Sequence, residues 1–196
     1  MKKTWTVHAK EKLYEGFFKC FRFRFSHALY AGGDSPQIDR EVQLRGEAAG
    51  VLIWDPARDE FLLIEQIRAG AFAEENGPWL TEIVAGMVGE GEVPEEVVRR
   101  EALEEASVEL HDTVPMLRYM PSPGGSDEGL HLFLARADLK QAGGIFGLAE
   151  EGEDIRAFTV STSEALDMLA RGEIHNSMTV IALQWWQLHH SELAWR

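Results

Sequence analysis

The first forty-odd residues alternate in places between apolar and polar positions. In "FKCFRFRF" (18–25), Phe21, Phe23 and Phe25 point one way and Arg22 and Arg24 the other, the period of two that marks a strand with one apolar face. A partner strand is expected over residues 4–9, a turn at "GGDSP" (32–36), and a further strand near Val42. "AAGVLIWD" (48–55) and "FLLIEQI" (61–67) are nearly continuous apolar runs, which predict a hairpin of buried strands around the turn "PARDE". "LTEIVAG" (80–86) predicts one more short strand before the Gly-rich "GMVGEGE".

Pro94 suits the first position of a helix, where its missing N–H costs nothing, and the helix is expected to run to about residue 107. Short strands are expected at 116–120, 130–137 and 155–160. Ser161 with Glu164 has the spacing of a capping box, opening a helix that Gly172 closes. Asn176 is a suitable N-cap for a last helix through "MTVIALQWWQLHH". Strands and helices mix without regular βαβ alternation, so the expected fold class is α+β, a mixed sheet sandwiched by helices. Residues 1–45 are expected to form a small N-terminal antiparallel β unit, and 46–196 the main domain.

Composition removes several function classes. The formal net charge of −14 argues against binding a phosphate backbone, which needs clustered Lys and Arg. An anionic small molecule remains possible if metal cations bridge it to the protein. Cys20 is the single cysteine, so no intrachain disulfide can form, and a reducing, cytoplasmic setting is expected. "MKKTWTVHAKEKLYEG" lacks the apolar stretch of a signal peptide, and the run "VIALQWW" is too short to span a bilayer.

The helix from Pro94 poses the chemical question. Glu95 with Arg99 and Glu96 with Arg100 are i,i+4 pairs in the favourable order, as expected of a solvated face. Glu101 and Glu105 instead share the sector marked as inward by Val97, Val98 and Val108, with Glu104 at its edge. A buried unpaired carboxylate is strongly disfavoured, so these groups should be protonated, paired with cations, or bound to a metal. Clustered hard oxygen ligands suit Mg²⁺. An ordinary acidic soluble helix is the competing interpretation.

The wider spacing bears on that choice. From Gly86 the chain has five residues, Glu92, seven residues, Arg100-Glu101, an apolar residue, Leu103, Glu104-Glu105, Ala106, Ser107 and Val108. This resembles the Nudix box, G-x5-E-x7-R-E-U-x-E-E-x-G-U with U apolar, of hydrolases acting on nucleoside diphosphates linked to another moiety. Two positions depart from it: Ser107 replaces a Gly that ends the helix, and Ala102 is small for its apolar slot. The resemblance implies a loop–helix–loop on an αβα sandwich. It makes Glu101, Glu104, Glu105 and the Ala85 carbonyl metal ligands, with Mg²⁺ the expected cation and Mn²⁺ the alternative. Gly86, Glu92 and Arg100 would brace the box.

Three further stretches, "PSPGGSDE" (121–128), "GLAEEGEDIRAF" (147–158) and "IALQWWQLHH" (181–190), together with "EQIR" before the box, are similar to those of bacterial ADP-ribose pyrophosphatases. That resemblance implies Glu151 as general base and Glu153 as a further metal ligand, on an acidic loop that would otherwise be taken as merely solvated. Arg68 is the best phosphate clamp in the chain, since a guanidinium binds phosphate oxygens bidentately; spacing alone fits a surface arginine as well. The same resemblance assigns Phe17 and Arg40 to the adenine, reaching it from a partner subunit, and Met87, Ser122 and Glu128 to the substrate pocket. Aromatic residues in an amphipathic strand are more often core, and this competes for Phe17. Cys20, His189 and His190 have no partner at a nucleophile or metal spacing.

The expected activity is Mg²⁺-dependent hydrolysis of ADP-ribose to AMP and ribose 5-phosphate, by a homodimer that exchanges its N-terminal β units. The alternatives are another nucleotide sugar such as GDP-mannose, a non-catalytic nucleotide-sensing domain, and a structural protein with an acidic helix.

Overall fold

The computed structural model describes residues 3–148 and 152–195. The chain divides into two compact units, one of residues 1–46 with 120–129 and one of 47–119 with 130–196.

The first unit is an antiparallel sheet of β1 (Trp5–Glu15), β2 (Lys19–His27) and β3 (Ile38–Leu44), with β2 in the middle. The alternation read in β2 is kept. Arg24 pairs with Asp39 at 2.9 Å and Arg22 with Glu41 at 3.2 Å on the polar face, while Lys10 lies 4.4 Å from the ring centre of Phe21 on the other. β1 is longer than the expected 4–9, because register shifts between Val7 and Ala9 and between Lys12 and Tyr14 break its alternation without ending its pairing. The segment 120–129 is tied to β3: the Gln43 N–H donates to the Gly125 carbonyl at 2.9 Å and the Asp127 N–H to the Gln43 carbonyl at 3.2 Å.

The second unit is built on an eight-stranded sheet. Its strands are β4 (Glu47–Asp55), β5 (Glu60–Ile67), β6 (Trp79–Glu82), β7 (Val84–Val88), β8 (Thr113–Tyr119), β9 (Gly129–Arg136), β10 (Gly144–Phe146) and β11 (Ile155–Ser161). The order is β10-β11-β5-β4-β9-β8, with β6 added to β5 and β7 to β4. The Gly129 N–H meets the Gly46 carbonyl at 3.0 Å and the Ala137 N–H the Trp54 carbonyl at 3.2 Å, so β9 runs parallel to β4 in an otherwise antiparallel neighbourhood.

Both faces of this sheet are covered, which explains why β4 and β5 read as continuous apolar runs. Val51, Ile53, Leu62 and Ile64 pack on one side with Val97, Val98, Ala102 and Ala106 of helix α1 (Pro94–Ala106). Leu52, Trp54, Phe61 and Leu63 pack on the other with Ala165 of α2 (Thr162–Ala170) and Ala182, Leu183 and Trp186 of α3 (Ser177–His189). The result is the expected αβα sandwich.

The expected single strand "LTEIVAG" is two. β6 pairs with β5, with Glu82 opposite Ile64, while β7 pairs with β4, with Gly86 opposite Ala49. The switch falls at Ile83, whose N–H donates to the Thr179 hydroxyl of α3 at 3.0 Å instead of to a strand. β10 was not expected at all. The caps are as expected: the Ser161 hydroxyl accepts from the Glu164 N–H at 3.2 Å, and the Asn176 side chain from the Thr179 N–H at 3.1 Å. Among the described residues, no helix is long and apolar enough to cross a membrane.

Candidate active site

Helix α1 carries the site because its apolar stripe fixes which way its carboxylates face. Val97, Val98, Ala102 and Ala106 are buried against the sheet, and Glu105 is buried with them at 4% exposure. The small Ala102 is fully buried in that contact, so its size suits close approach of helix and sheet. Pro94 begins the helix, as its φ and missing N–H favour. Ser107 ends it in the left-handed conformation (φ 52°, ψ 38°), its N–H donating to the Leu103 carbonyl at 3.0 Å.

Among the described residues, Glu105 receives one hydrogen bond, from the Ala85 N–H at 3.2 Å. Burial pushes its pKa up from the usual 4.5 to about 8, and the charges of Glu101 and Glu153 add to the rise. Ala85 thus adjoins this carboxylate through its amide, whereas the expected metal contact uses its carbonyl. Glu101 is also raised, chiefly by burial; the neighbouring Arg100 opposes the shift, and Glu104 and Glu153 reinforce it. Three carboxylates therefore share one field, and Glu153 joins it from beyond β10. The Glu153 carboxylate accepts from the Leu148 N–H at 3.2 Å, at a turn where Gly147 (φ 106°) lies too close to the Glu153 backbone for a side chain.

The bracing residues act on this geometry. A Cβ on Gly86 would stand 1.9 Å from the Glu101 carboxylate, so only glycine lets that group lie against β7. Glu92 accepts from the Gly89 N–H at 2.7 Å and closes the loop before the helix. Arg100 reaches Glu101 at 2.8 Å and Glu104 at 3.1 Å. The expected Glu96–Arg100 pair is thus replaced, because the half-buried Glu101 and Glu104 leave more negative charge on that side. Glu95 and Arg99 pair as expected, at 3.0 Å. Among the described residues, no three acidic, histidine or cysteine side chains stand grouped as a ready-made metal site in this structure. Glu151, the expected base, lies outside the described residues.

Arg68 follows β5. Its Nε and Nη2 both reach Glu82 Oε2, at 2.9 and 2.8 Å, and Gln66 Nε2 donates to the same oxygen at 3.3 Å. Glu82 is buried, which raises its pKa against the opposing effect of Arg68. The positive charge of Arg68 also acts on Glu105. Glu82 was missed in the sequence; a glutamate inside the apolar run "LTEIVAG" was the available signal. Met87 is half-exposed on β7.

The remaining expected site residues belong to the first unit. Phe17 lies in the β1–β2 turn at 84% exposure, its ring edge-on to Phe18, so the core alternative for it does not hold. Arg40 on β3 donates to the Asp39 carbonyl at 2.7 Å and lines an apolar groove with Phe23, Phe25 and Val42. Ser122 anchors a turn through its carbonyl, which accepts from Gly125 and Ser126. Glu128 is paired with Arg45 at 2.8 Å. His189 and His190 stack on Trp185 and Trp186, and their Nδ1 atoms bond to the carbonyls of those same residues.

A buried carboxylate set on a helix that follows a Gly-rich loop is what the box pattern demands, and the NUDIX domain family matches residues 44–179. The chain belongs to the Nudix family. It is 48% identical over 187 residues to the ADP-ribose pyrophosphatase of Escherichia coli K12, covering 95% of this chain and 90% of that protein. It is 34% identical over 159 residues to the GDP-mannose pyrophosphatase of Shigella flexneri serotype 5b, covering 81% and 82%. A solved structure described as an ADP compounds hydrolase superposes with a TM-score of 0.72 at 16% identity, covering 98% of this Nudix chain and 97% of the other, which shows the shared fold.

Proposed function

We propose that this Nudix protein hydrolyses the pyrophosphate of ADP-ribose to AMP and ribose 5-phosphate with a divalent cation, Mg²⁺ or Mn²⁺. The observation that carries this is the carboxyl group of Glu105, buried beside Glu101 and Glu153 and offset by the Ala85 N–H and the charge of Arg68 without restoring an ordinary pKa. The donor set fits a hard divalent cation: carboxylate oxygens, half-buried to buried, whose ionised forms a cation would stabilise. Glu101, Glu105 and Glu153, not grouped as a ready-made ligand set in this structure, would draw together to hold it, with Glu104 and the Ala85 carbonyl as further donors. When bound, the cation lowers the pKa of the attacking water and offsets charge on the leaving phosphate.

The chain's own groups supply the rest. Arg68 binds phosphate oxygens beside Glu105, and Arg100 restrains Glu101 and Glu104. Glu151 takes the proton as the water oxygen bonds to phosphorus and the bridging P–O bond breaks, the departing phosphate leaving on AMP or on ribose 5-phosphate. Phe17 and Arg40, reaching in from a partner subunit, hold the adenine, and Met87, Ser122 and Glu128 are assigned to the substrate pocket. The ADP-ribose assignment draws on the identity to the Escherichia coli enzyme, which spans nearly the whole chain, whereas the GDP-mannose relative is matched less closely and over less of it.

Residues 1–45 act as a dimerisation unit for a cytoplasmic homodimer. Trp5, Tyr14 and Phe17 are all largely exposed there, and every residue of β1 is solvent-facing, which a partner subunit would cover. Light scattering should give twice the chain mass; a monomeric mass removes the dimer.

The activity is tested by product analysis after incubation with ADP-ribose, and separately GDP-mannose, with Mg²⁺, with Mn²⁺ and with a chelator. AMP and ribose 5-phosphate formed from ADP-ribose, only with a cation, is the expected result. Preferential cleavage of GDP-mannose would replace the substrate, and no cleavage of either would leave a nucleotide-sensing domain.

A further inference from the structure

The buried Glu82 has no place in the chemistry so far. It sits at the end of β6, directly across the ladder from Ile64 of β5, and spends one oxygen on three donors: Arg68 Nε, Arg68 Nη2 and Gln66 Nε2. We propose that Glu82 is a positioning residue that fixes the Arg68 guanidinium in the orientation that binds a substrate phosphate. This rests on the role of Arg68 proposed above.

The exposure of the two side chains supports the division of labour. Glu82 retains 12% of its side-chain exposure and Arg68 43%, so a buried carboxylate is joined to an arginine side chain that still meets solvent. A guanidinium has five N–H donors in a rigid plane, so two can hold Glu82 while others meet phosphate oxygens. Giving up Glu82 altogether would strand a buried carboxylate with only the longer bond from Gln66, and that penalty holds Arg68 in place. The backbone adds a second hold, since the Arg68 N–H donates to the Pro78 carbonyl at 2.8 Å. A lysine at 68 could not serve both partners with one compact ammonium.

The test is a double-mutant cycle on ADP-ribose hydrolysis, with Glu82→Gln and Glu82→Leu made in the wild type and in Arg68→Ala. Gln keeps an acceptor but no charge, and Leu keeps neither. The expected losses in kcat/KM are about tenfold for Glu82→Gln and about a hundredfold for Glu82→Leu, appearing in kcat as well as KM. In the Arg68→Ala background, Glu82→Gln should change kcat/KM by less than about twofold, because the group it positions is gone. A Glu82→Gln loss of equal size in both backgrounds would make Glu82 merely structural and overturn the proposal. So would an unchanged kcat/KM in Glu82→Gln and Glu82→Leu.

A second measurement separates this proposal from the choice of substrate. The Arg68 Nε–H signal in a proton–nitrogen NMR spectrum, assigned by its absence in Arg68→Ala, should be slow to exchange in the wild type and fast in Glu82→Leu. Equal exchange rates overturn the positioning role even if ADP-ribose is cleaved. Failure of the wild type to cleave ADP-ribose, with the exchange difference intact, overturns the substrate assignment instead.

Discussion

The two ends of helix α1 handle negative charge in opposite ways. Near its start, Glu95 is held by Arg99 at 3.0 Å and by the Thr113 hydroxyl, and Arg99 also donates to the Leu110 carbonyl at 2.8 Å. Those bonds, the Thr113 one foremost, keep Glu95 below the usual carboxylate pKa. Near its end, Glu105 is buried, faces the charges of Glu101 and Glu153, and among the described residues has the Ala85 N–H and the more distant charge of Arg68 to offset them. The first end uses charge to dock the helix on β8. The second buries a carboxyl group that the metal-free fold holds protonated up to about pH 8, and such a group persists where a ligand completes it.

The largest expected effect comes from neutralising the unmatched end. Glu105→Gln should lower turnover of ADP-ribose at least about a hundredfold, since even groups that merely orient metal ligands cost 10–100-fold when replaced. Metal-free stability near neutral pH should rise in the same variant, because a neutral amide needs no proton taken up on folding. Loss of both activity and metal-free stability would show that the carboxylate is structural.

The same end predicts a pH dependence. The folded-state pKa of Glu105 is raised to about 8 from 4.5, so between those values the folded protein holds a proton that the unfolded chain has released. Its contribution to stability is therefore complete below about pH 4.5 and lost as pH rises towards 8, with a slope of at most about 1.4 kcal/mol per pH unit. Chelator-treated protein should melt at progressively lower temperature from pH 5 to pH 8, and Glu105→Gln should remove most of that slope. Added Mg²⁺ should stabilise more at pH 8 than at pH 6, since binding requires the ionised form. A flat profile in the chelated wild type would mean that Glu105 is not desolvated.

Breaking the matched end should cost stability more than chemistry. Arg99→Met removes bonds to Glu95, Thr113 and the Leu110 carbonyl but keeps much of the aliphatic stem, and should destabilise by about 1–2 kcal/mol. Denaturant unfolding measures this directly. Turnover should fall by less than in Glu105→Gln; an equal fall would erase the distinction between the two ends.

What could be foreseen in the chain follows the same division between local and distant causes. The box was legible because Gly86, Glu92, Arg100, Glu101, Glu104 and Glu105 lie within one loop and one helix, where spacing fixes placement. The buried strands were legible because β4 and β5 are apolar on both faces. The break of "LTEIVAG" at Ile83 was not, because its cause is Thr179 on α3, far along the sequence. Glu82 stayed hidden for a similar reason, its partners being supplied across the β5–β6 ladder. Arg100 had carboxylates at both i−4 and i+4, and only tertiary burial of Glu101 decides between them. The length of β1 was hidden by its register shifts.

The smallest expected effect probes the helix end itself, where this chain departs from the box. Ser107 holds φ 52° and ψ 38°, a conformation that costs a residue with a Cβ about 1–2 kcal/mol. Its cap is made by the backbone: Ser107 N–H to the Leu103 carbonyl and Val108 N–H to the Ala102 carbonyl, both at 3.0 Å. Glycine would keep both bonds and relieve the strain, but it would also gain about 0.4–1 kcal/mol of unfolded-state entropy. Ser107→Gly should therefore stabilise by no more than about 1 kcal/mol, or about 2–4 °C in Tm. Ser107→Val, β-branched in the same conformation, should shift Tm the other way. If Gly fails to stabilise while Val destabilises, the serine side chain itself offsets the strain, and the departure from the box is compensated locally. If neither substitution moves Tm, the left-handed turn does not limit stability, and the contrast between the ends of α1 rests on its carboxylates alone.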